Sequence, residues 1–460
     1  MKILFIQTNL NSSNKFAFSF GINSIAAVLE KNNYECGYYL VSSAGGQEHG
    51  ELKNQIERFK PDVLAFTAIT SQFEYVKKLA GEIKKYFRGI IICGGVHPTL
   101  EPDCLERSEG LDAIVIGEGE YAVLDLMDAI RDGKNIYSIN NFWFRKGKGI
   151  VRNTVRPLIE NLDELPLPAT HICDWQGLID ETNGRLRFFF GRGCPFKCTY
   201  CSNHALNKIY KNDKTVRYQS VNRCMDEIAF TTSKYRFNHL YFADDTFMLN
   251  KKWTLEFLKA YEKSFNYPFG CQVRANLCSK KMFTALQGAG CFMVMMGVES
   301  GNDYIRNEIL KRKMAREQIV TAFADARDAG IKTAAQVIIG LPFETEETLI
   351  DTIDLMAEIN ADEVRHGVFF PYPNTELQKL CIEKGFLKKE AYYSDYRERA
   401  DSIIDLPDLS KSRIKYYNDN FVSILEEKIR NRGETPMGDQ VSTNTGFVSS
   451  LTNGIDIYSE

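Results

Sequence analysis

The chain has no apolar run approaching the roughly 18–20 residues that cross a bilayer, so no membrane span is expected. It also has no basic excess: 57 Lys and Arg stand against 60 Asp and Glu, for a formal net charge of −3. A phosphate-binding surface normally shows as such an excess, so no nucleic-acid partner is expected. No low-complexity tract or long internal repeat occurs. With 44% hydrophobic and 25% charged residues, a disordered chain is excluded as the main description. The opening MKILFIQTNLNSSN has a short apolar stretch with no cleavage-type small-residue site after it. It reads as a first buried strand rather than a signal peptide, which implies a cytoplasmic protein. Twelve cysteines without a secretory signal are expected to be reduced thiols rather than a disulfide framework.

What is present is a strand–helix rhythm. The 460 residues suit about three domains, fewer if one is a barrel. In residues 1–135, apolar runs at Lys2–Ile6, Cys36–Leu40, Val63–Thr67, Ile90–Cys93 and Ala113–Ile116 alternate with helical patterns near Ile22–Lys31, Leu52–Phe59, Phe73–Tyr86 and Tyr121–Arg131. Such strands predict a Rossmann-like, doubly wound α/β domain with a parallel sheet covered on both faces. Ligands in such folds bind beyond the carboxyl ends of the strands. The residues there are small and polar: Thr67, Thr70 and Ser71; Gly94, Gly95, Val96 and His97; Gly117, Glu118 and Gly119. They form either tight capped turns or loops that let a backbone approach a large flat ligand.

Residues 136–180 read as a linker that ends in a proline-marked extended stretch. Within 181–395 six further strands are expected, at Leu186–Phe190, His239–Ala243, Phe269–Ala275, Phe292–Gly297, Thr333–Ile339 and Glu363–Phe370, with helices between them. Six such units suit a partial (β/α)₆ TIM-type barrel with its site at the carboxyl ends. Residues 396–460 read as a C-terminal extension, the last 30 a partly mobile tail or a flap over substrate.

Nine of the cysteines are scattered among apolar neighbours and read as small buried hydrophobes. The other three, Cys194, Cys198 and Cys201, share one glycine-flanked loop after the first barrel strand, at spacing Cys-x₃-Cys-x₂-Cys. Thiolates on one tight loop converge on a soft metal centre. Three ligands leave one iron of a 4Fe–4S cluster open to substrate; a zinc site would need a fourth, which neighbouring His204 offers.

This loop, with Tyr200 before its last cysteine, resembles the signature of the radical S-adenosylmethionine (SAM) superfamily. The later segments Leu240–Phe247 (with Asp244 and Asp245), Val273–Asn276 (with Arg274), Met296–Gly301 (with Glu299 and Ser300), Gln336–Pro342 and Phe370–Thr375 resemble the subset carrying an N-terminal cobalamin-binding domain, with Asn374 where Gly is usual. The resemblance, over roughly residues 1–395, implies a 4Fe–4S cluster, S-adenosylmethionine and cobalamin. It implies a 5′-deoxyadenosyl radical, an external electron donor of flavodoxin or ferredoxin type, and a small-molecule or natural-product substrate. Arg274 would pair with the S-adenosylmethionine carboxylate or form a structural ion pair. Glu299 and Ser300 would take its ammonium, ribose or carboxylate groups. Tyr200, Gln336 and Ile338 would lie on the same cofactor or simply pack, and Asp244 would reach a ribose or substrate or cap a helix. Arg365, His366 and Tyr372 are candidates for pocket lining.

The N-terminal loops then resemble cobalamin-contacting ones. Cobalamin domains that ligate cobalt through histidine carry Asp-x-His-x-x-Gly after the first strand, whereas this chain has Gln7-Thr8-Asn9-Leu10-Asn11-Ser12-Ser13. Base-off cobalamin with no histidine ligand is therefore expected, with His97 in a polar turn contact. Methyl transfer to an unactivated carbon is the leading function; cyclisation, ring contraction or oxidation without methyl transfer is the alternative. Methylthio transfer is disfavoured because Cys36, Cys93 and Cys104 are too dispersed for a second triad. A cobalamin or iron–sulfur sensor or carrier would not need the strand-end Arg274, Glu299 and Gly340-Leu341-Pro342 set.

Overall fold

A computed structural model of the chain describes residues 1–10, 12, 15–42, 46–210, 214–388 and 400–436. These form two compact units, one holding residues 1–182 with 205–219, the other the remainder. The N-terminal unit is built on a sheet of order β2 (Glu35–Val41), β1 (Lys2–Thr8), β3 (Val63–Thr67), β4 (Ile90–Gly94), β5 (Ala113–Val115), β6 (Phe142–Lys146), β7 (Gly149–Arg152). The first five strands are parallel. Alternation along them feeds two cores. Ile3 and Phe5 of β1 face α1 (Phe20–Lys31) and α5 (Glu120–Arg131); Leu4 and Ile6 face α2 (Gly46–Phe59) and α3 (Phe73–Ile83). Both faces are covered, as all-apolar strands require.

Two expectations are corrected in this unit. Residues 142–152, read as part of a linker, form an antiparallel hairpin that extends the sheet beyond β5. Phe142 and Phe144 are buried by it while Trp143 packs on the opposite core, a short period-2 pattern hidden among charged neighbours. Residues 205–219, read as barrel, belong to this unit instead. Ala205 and Leu206 of α7 (Ser202–Ile209) pack on Val96 and Leu100 of α4 (Val96–Leu100). Arg217, in the two-residue β10 (Arg217–Tyr218), pairs with Glu118 at 2.7 Å.

The second unit is a curled six-stranded parallel sheet of sequential order: β8 (Arg185–Phe188), β11 (His239–Phe242), β12 (Phe269–Val273), β13 (Cys291–Glu299), β14 (Lys332–Ile339) and β15 (Glu363–Val368). Helices α8 (Val221–Thr232), α9 (Lys251–Ser264), α10 (Lys280–Gly288), α11 (Arg316–Asp328) and α12 (Glu346–Ile359) lie between the strands. The partial barrel is thus present, and its outward side chains make the core. Phe242 packs its ring within 6 Å of Phe190, Phe247, Phe257 and Phe269.

Beyond the barrel the pattern does not simply weaken. A 21-residue helix, α14 (Lys411–Asn431), buries Ile414, Tyr417, Phe421, Leu425 and Ile429 at three- and four-residue spacing. Ser410 caps its start, and Arg413 bridges to Glu346 of α12 at 2.6 Å. Its other faces are so polar that the stripe is weak in sequence. Residues 389–399 and 437–460 of the expected extension and tail lie outside the described residues.

Phe421 is fully buried and stacks on His366 with ring centroids 4.9 Å apart. Phe421→Ala is expected to cost about 3–5 kcal/mol, read as a lowered urea midpoint for this unit, whereas exposed Tyr416→Ala should leave the midpoint nearly unchanged.

Candidate active site and cofactor loops

The cysteine loop is clamped at both ends. From β8 the chain passes through Phe189 and Phe190 into the short β9 (Gly191–Arg192). Asp244, just past β11, accepts through Oδ1 from the N–H of Phe190 at 3.2 Å and of Gly191 at 2.5 Å. Burial pushes its carboxyl up to about 7 despite those bonds, and its Oδ2 is buried with no partner. At the far end Thr199 donates its hydroxyl to Ile309 O at 2.7 Å, and its carbonyl accepts from Leu377 N at 2.9 Å. Asp244 is thus a brace for the loop and caps no helix.

On this loop Cys198 is buried and Cys194 and Cys201, the latter two residues past Thr199, are half-buried. Burial pushes the Cys194 thiol up to about 11, with the Asp245 charge adding to it. Burial raises Cys201 as well, and Cys198 and Cys194 raise it further, so the three sulfurs sense one another. Asp245 itself accepts from Asn203 Nδ2 at 3.0 Å. Arg274, at the end of β12, lies with Nη1 3.6 Å from Cys198 Sγ and its guanidinium 3.9 Å from the Phe196 ring centroid. Its other partners are Asn276 Oδ1 at 2.9 Å and the carbonyl of Arg312. None is a carboxylate, so Arg274 forms no structural ion pair.

Above β13 a second cluster forms. Tyr200 donates its hydroxyl to Glu299 Oε1 at 3.0 Å and accepts from Arg312 Nη1 at 2.8 Å; Arg312 also pairs with Glu299 at 3.1 Å. Glu299 has φ 65°, and the register with β14 slips there, so a bulge turns its carboxylate. Gly297 is required beneath: a Cβ there would collide with Glu299 Oε1. Ser300, by contrast, directs its hydroxyl to Thr352 at 3.4 Å and Asn302 N at 3.3 Å, on the helix side. Gln336 and Ile338 lie on the half-buried inner face of β14, alternating with buried Val337 and Ile339. Arg365 shares that inner face by register with Gln336. His366 does not line the lumen: its Nε2 donates to Asn418 O at 2.8 Å against α14. Tyr372 packs with Phe370, ring centroids 5.3 Å apart.

In the N-terminal unit the expected loops meet at the carboxyl edge. Gly95, at φ 101°, lies so close to Ala68 that a Cβ would strike its backbone. Thr99 Oγ1 accepts from Gly117 N at 3.1 Å, linking the loops after β4 and β5. Gly117 has φ 77° and lies under the Tyr210 hydroxyl, which also accepts from Glu118 N at 3.3 Å. Gly119 packs on Ile25. The Glu118 side chain is structural, accepting from Ile159 N at 2.8 Å besides its pairing with Arg217. His97 is buried in α4 with Nδ1 3.4 Å from Thr70 Oγ1 and its ring stacked 4.1 Å from Phe73. Ser71 is half-buried beside Thr70. The strand order reverses between β1 and β3, and there Thr8 Oγ1 and Thr67 Oγ1 are buried hydroxyls without partners. After β1, Asn11 and Ser13 lie outside the described residues.

A radical SAM superfamily model matches residues 188–356, and a B12 binding domain model matches residues 7–127. The chain carries a radical SAM domain and a B12-binding domain. It is 28% identical over 340 residues to an uncharacterized methyltransferase of Pyrococcus horikoshii, covering 73% of each chain. To the anaerobic magnesium-protoporphyrin IX monomethyl ester cyclase of Rubrivivax gelatinosus it is 26% identical over 392 residues, covering 82% of this chain and 69% of the other. The structure of the radical S-adenosylmethionine methyltransferase TsrM from Kitasatospora setae shares the fold, with a TM-score of 0.67 at 17% identity over 83% of this chain and 76% of that one.

The residues fit the cofactors this radical SAM protein requires. The Cys194 and Cys201 thiols, held up by burial, would give up their protons to a cationic centre such as a cluster provides. Zinc fits poorly: among the described residues no three His, Cys, Asp or Glu groups converge for a single ion. The orphaned hydroxyls at the β1/β3 switch point suit a polar cofactor tail. Two residues were not legible beforehand. Arg312 sits in a Lys-Arg-Lys run that reads as solvated charge, and Thr8 was noticed only for the histidine its segment lacks.

Glu344 braces the Gly340-Leu341 turn, its Oε2 accepting from Gly340 N at 2.6 Å and Leu341 N at 3.3 Å. Burial raises its pKa to about 8. The folded state therefore keeps a proton that the unfolded chain has already lost, and stability falls as pH rises from the ordinary carboxyl range through about 8. Chemical-denaturation midpoints should show a shallower fall for Glu344→Gln; equal slopes would contradict the assignment. Arg312→Met strands the Glu299 carboxylate and is expected to cost about 3–5 kcal/mol, measurable in the same titrations.

Proposed function

We propose that this radical SAM protein is a cobalamin-dependent methyltransferase acting on an unactivated carbon of a small molecule. The observation that carries the reading is a clamped loop that bears three thiols, with no fourth cysteine on it, whose sulfurs sense one another. That leaves one metal corner for a substrate-side ligand. A relative named as a methyltransferase supports methyl transfer as the outcome. When bound, the cluster, S-adenosylmethionine and cobalamin supply a hydrogen abstractor and a transferable methyl group, which no side chain offers.

The chain's own residues bind, orient and exclude water. Cys194, Cys198 and Cys201 hold iron as thiolates, and Arg274 donates toward Cys198 to offset their negative charge. Asp244 and Thr199 hold the loop so that the open corner keeps its place. Tyr200 and Arg312 orient the Glu299 carboxylate to receive an ammonium or ribose hydroxyl of S-adenosylmethionine. Gly95 and Gly117 let the loops after β4 and β5 take left-handed turns packed on Ala68 and Tyr210, so that their backbone would edge a corrin, with Thr8, Thr67 and Thr70 toward its polar tail. His97 is packed on Phe73, in keeping with base-off cobalamin lacking a histidine ligand. A reducing cytoplasm and a flavodoxin- or ferredoxin-type electron donor fit these requirements. The second reading, an oxidative cyclase, is favoured by the Rubrivivax relative.

Anaerobic reconstitution tests the reading. The intact protein should hold iron and inorganic sulfide and cleave S-adenosylmethionine reductively; Cys198→Ala should lose the cluster absorbance, while Cys93→Ala keeps it. An intact protein without iron or sulfide would refute it. With methyl-deuterated S-adenosylmethionine and candidate substrates, label in the product supports methylation, and hydrogen loss without label supports the cyclase.

A further inference from the structure

The barrel strands carry two different faces. Outward residues such as Leu240, Cys271, Val294, Ala335 and Val364 are buried under the helices, whereas inward Tyr241, Gln272, Met293, Gln336 and Ile338 remain half-exposed. The inner face is therefore partly open at these positions, while Met295, Arg187 and Arg365 on it are buried. One layer deeper than Ile338, side chains from four strands converge on Met295 Sδ: Gln336 Nε2 at 2.8 Å, Arg365 Nη1 at 3.5 Å, Gln272 Nε2 at 3.7 Å and the Tyr241 hydroxyl at 3.8 Å. A thioether is a weak acceptor, ill matched to four donors, and Met is flexible enough to yield the position.

The field there is positive. Arg185 lies over the Tyr241 ring at 5.5 Å, and the register places Arg187 beside Tyr241. Besides burial, the influences on the Tyr241 hydroxyl are the guanidinium groups of Arg365, Arg185 and Arg187 and the Cys271 thiol. Burial and the repulsion of Arg365 press Arg185 toward losing its charge, and Tyr241 and the Glu363 carboxylate act the other way without cancelling them. Arg365 also pairs with Glu363 at 2.9 Å. A neutral amide or carbonyl ligand would satisfy the donors but leave that repulsion unrelieved; an oxyanion answers both.

We propose that the barrel lumen takes a substrate bearing an oxyanion, a carboxylate or a phosphate-type group, held by Arg365, Gln336, Gln272 and Tyr241 where Met295 sulfur now sits. This deepens the proposed function and rests on it only in calling the ligand a substrate. Calorimetric titration of the reconstituted holoenzyme with phenylphosphonate, benzoate and neutral benzamide tests it. At least one anion should bind and benzamide should not. Arg365→Met and Gln336→Leu should each weaken anion binding about tenfold or more, the scale of a charge-assisted hydrogen bond. Because Arg365→Met strands Glu363, Tyr241→Phe serves as a further variant that keeps shape. Phenylphosphonate alone binding assigns a phosphate-type group, benzoate alone a carboxylate. No anion binding, benzamide binding equally, or unchanged affinity in folded variants would overturn the site. A holoenzyme that binds the anions yet cleaves no S-adenosylmethionine would overturn the functional reading while upholding the anion site.

Discussion

A loop that offers three sulfurs to a cluster has to be stiff, and hydrogen bonds from its backbone and flanking residues supply that stiffness. Asp244 grips the entering backbone and Thr199 anchors the loop between its second and third cysteines, so its shape does not depend on the thiols alone. The cost falls on Asp244, which is buried far enough to raise its pKa to about 7. Burial likewise keeps Cys194 and Cys201 protonated unless a cationic centre arrives. Stiffness and readiness for metal thus come from the same low-dielectric surroundings.

Two barrel strands end in left-handed backbone. Glu299, the last residue of β13, has φ 65°, and Gly340, just past β14, has φ 72°, which glycine adopts without strain; they position a carboxylate and a turn that the strand itself could not. The Tyr200–Glu299–Arg312 cluster shows how the strain at Glu299 is held: three polar groups satisfy one another over a glycine that leaves them room. In the N-terminal unit the parallel sheet does the corresponding job. Its strand order reverses between β1 and β3, and glycine-bearing loops with unpartnered hydroxyls gather along that edge.

The two units divide the chemistry by architecture. The Rossmann-like sheet presents flat backbone and small polar groups, suited to a large planar cofactor. The barrel presents convergent side chains on a partly open inner face, suited to orienting a small reactant. Apolar packing of opposite character supports them: aliphatic cores on both faces of the first sheet, and a phenylalanine-rich core outside the second.

Strand–helix alternation, the two fold types and the position of the three-cysteine loop after the first barrel strand were determined by the sequence alone, because each depends on local periodicity or on residues close in the chain. The 142–152 hairpin, the return of residues 205–219 to the first unit and the helix at 411–431 were not legible, since polar neighbours mask their short or narrow apolar patterns. The roles of single polar residues also needed the tertiary structure. Arg312 and Glu299 are 13 positions apart and Tyr200 is 99 from Glu299, so only the barrel's closure brings them together. His366 and Arg365 are adjacent in sequence yet face opposite sides of one strand, an outcome set by the two-residue period of the sheet and by which face α14 covers.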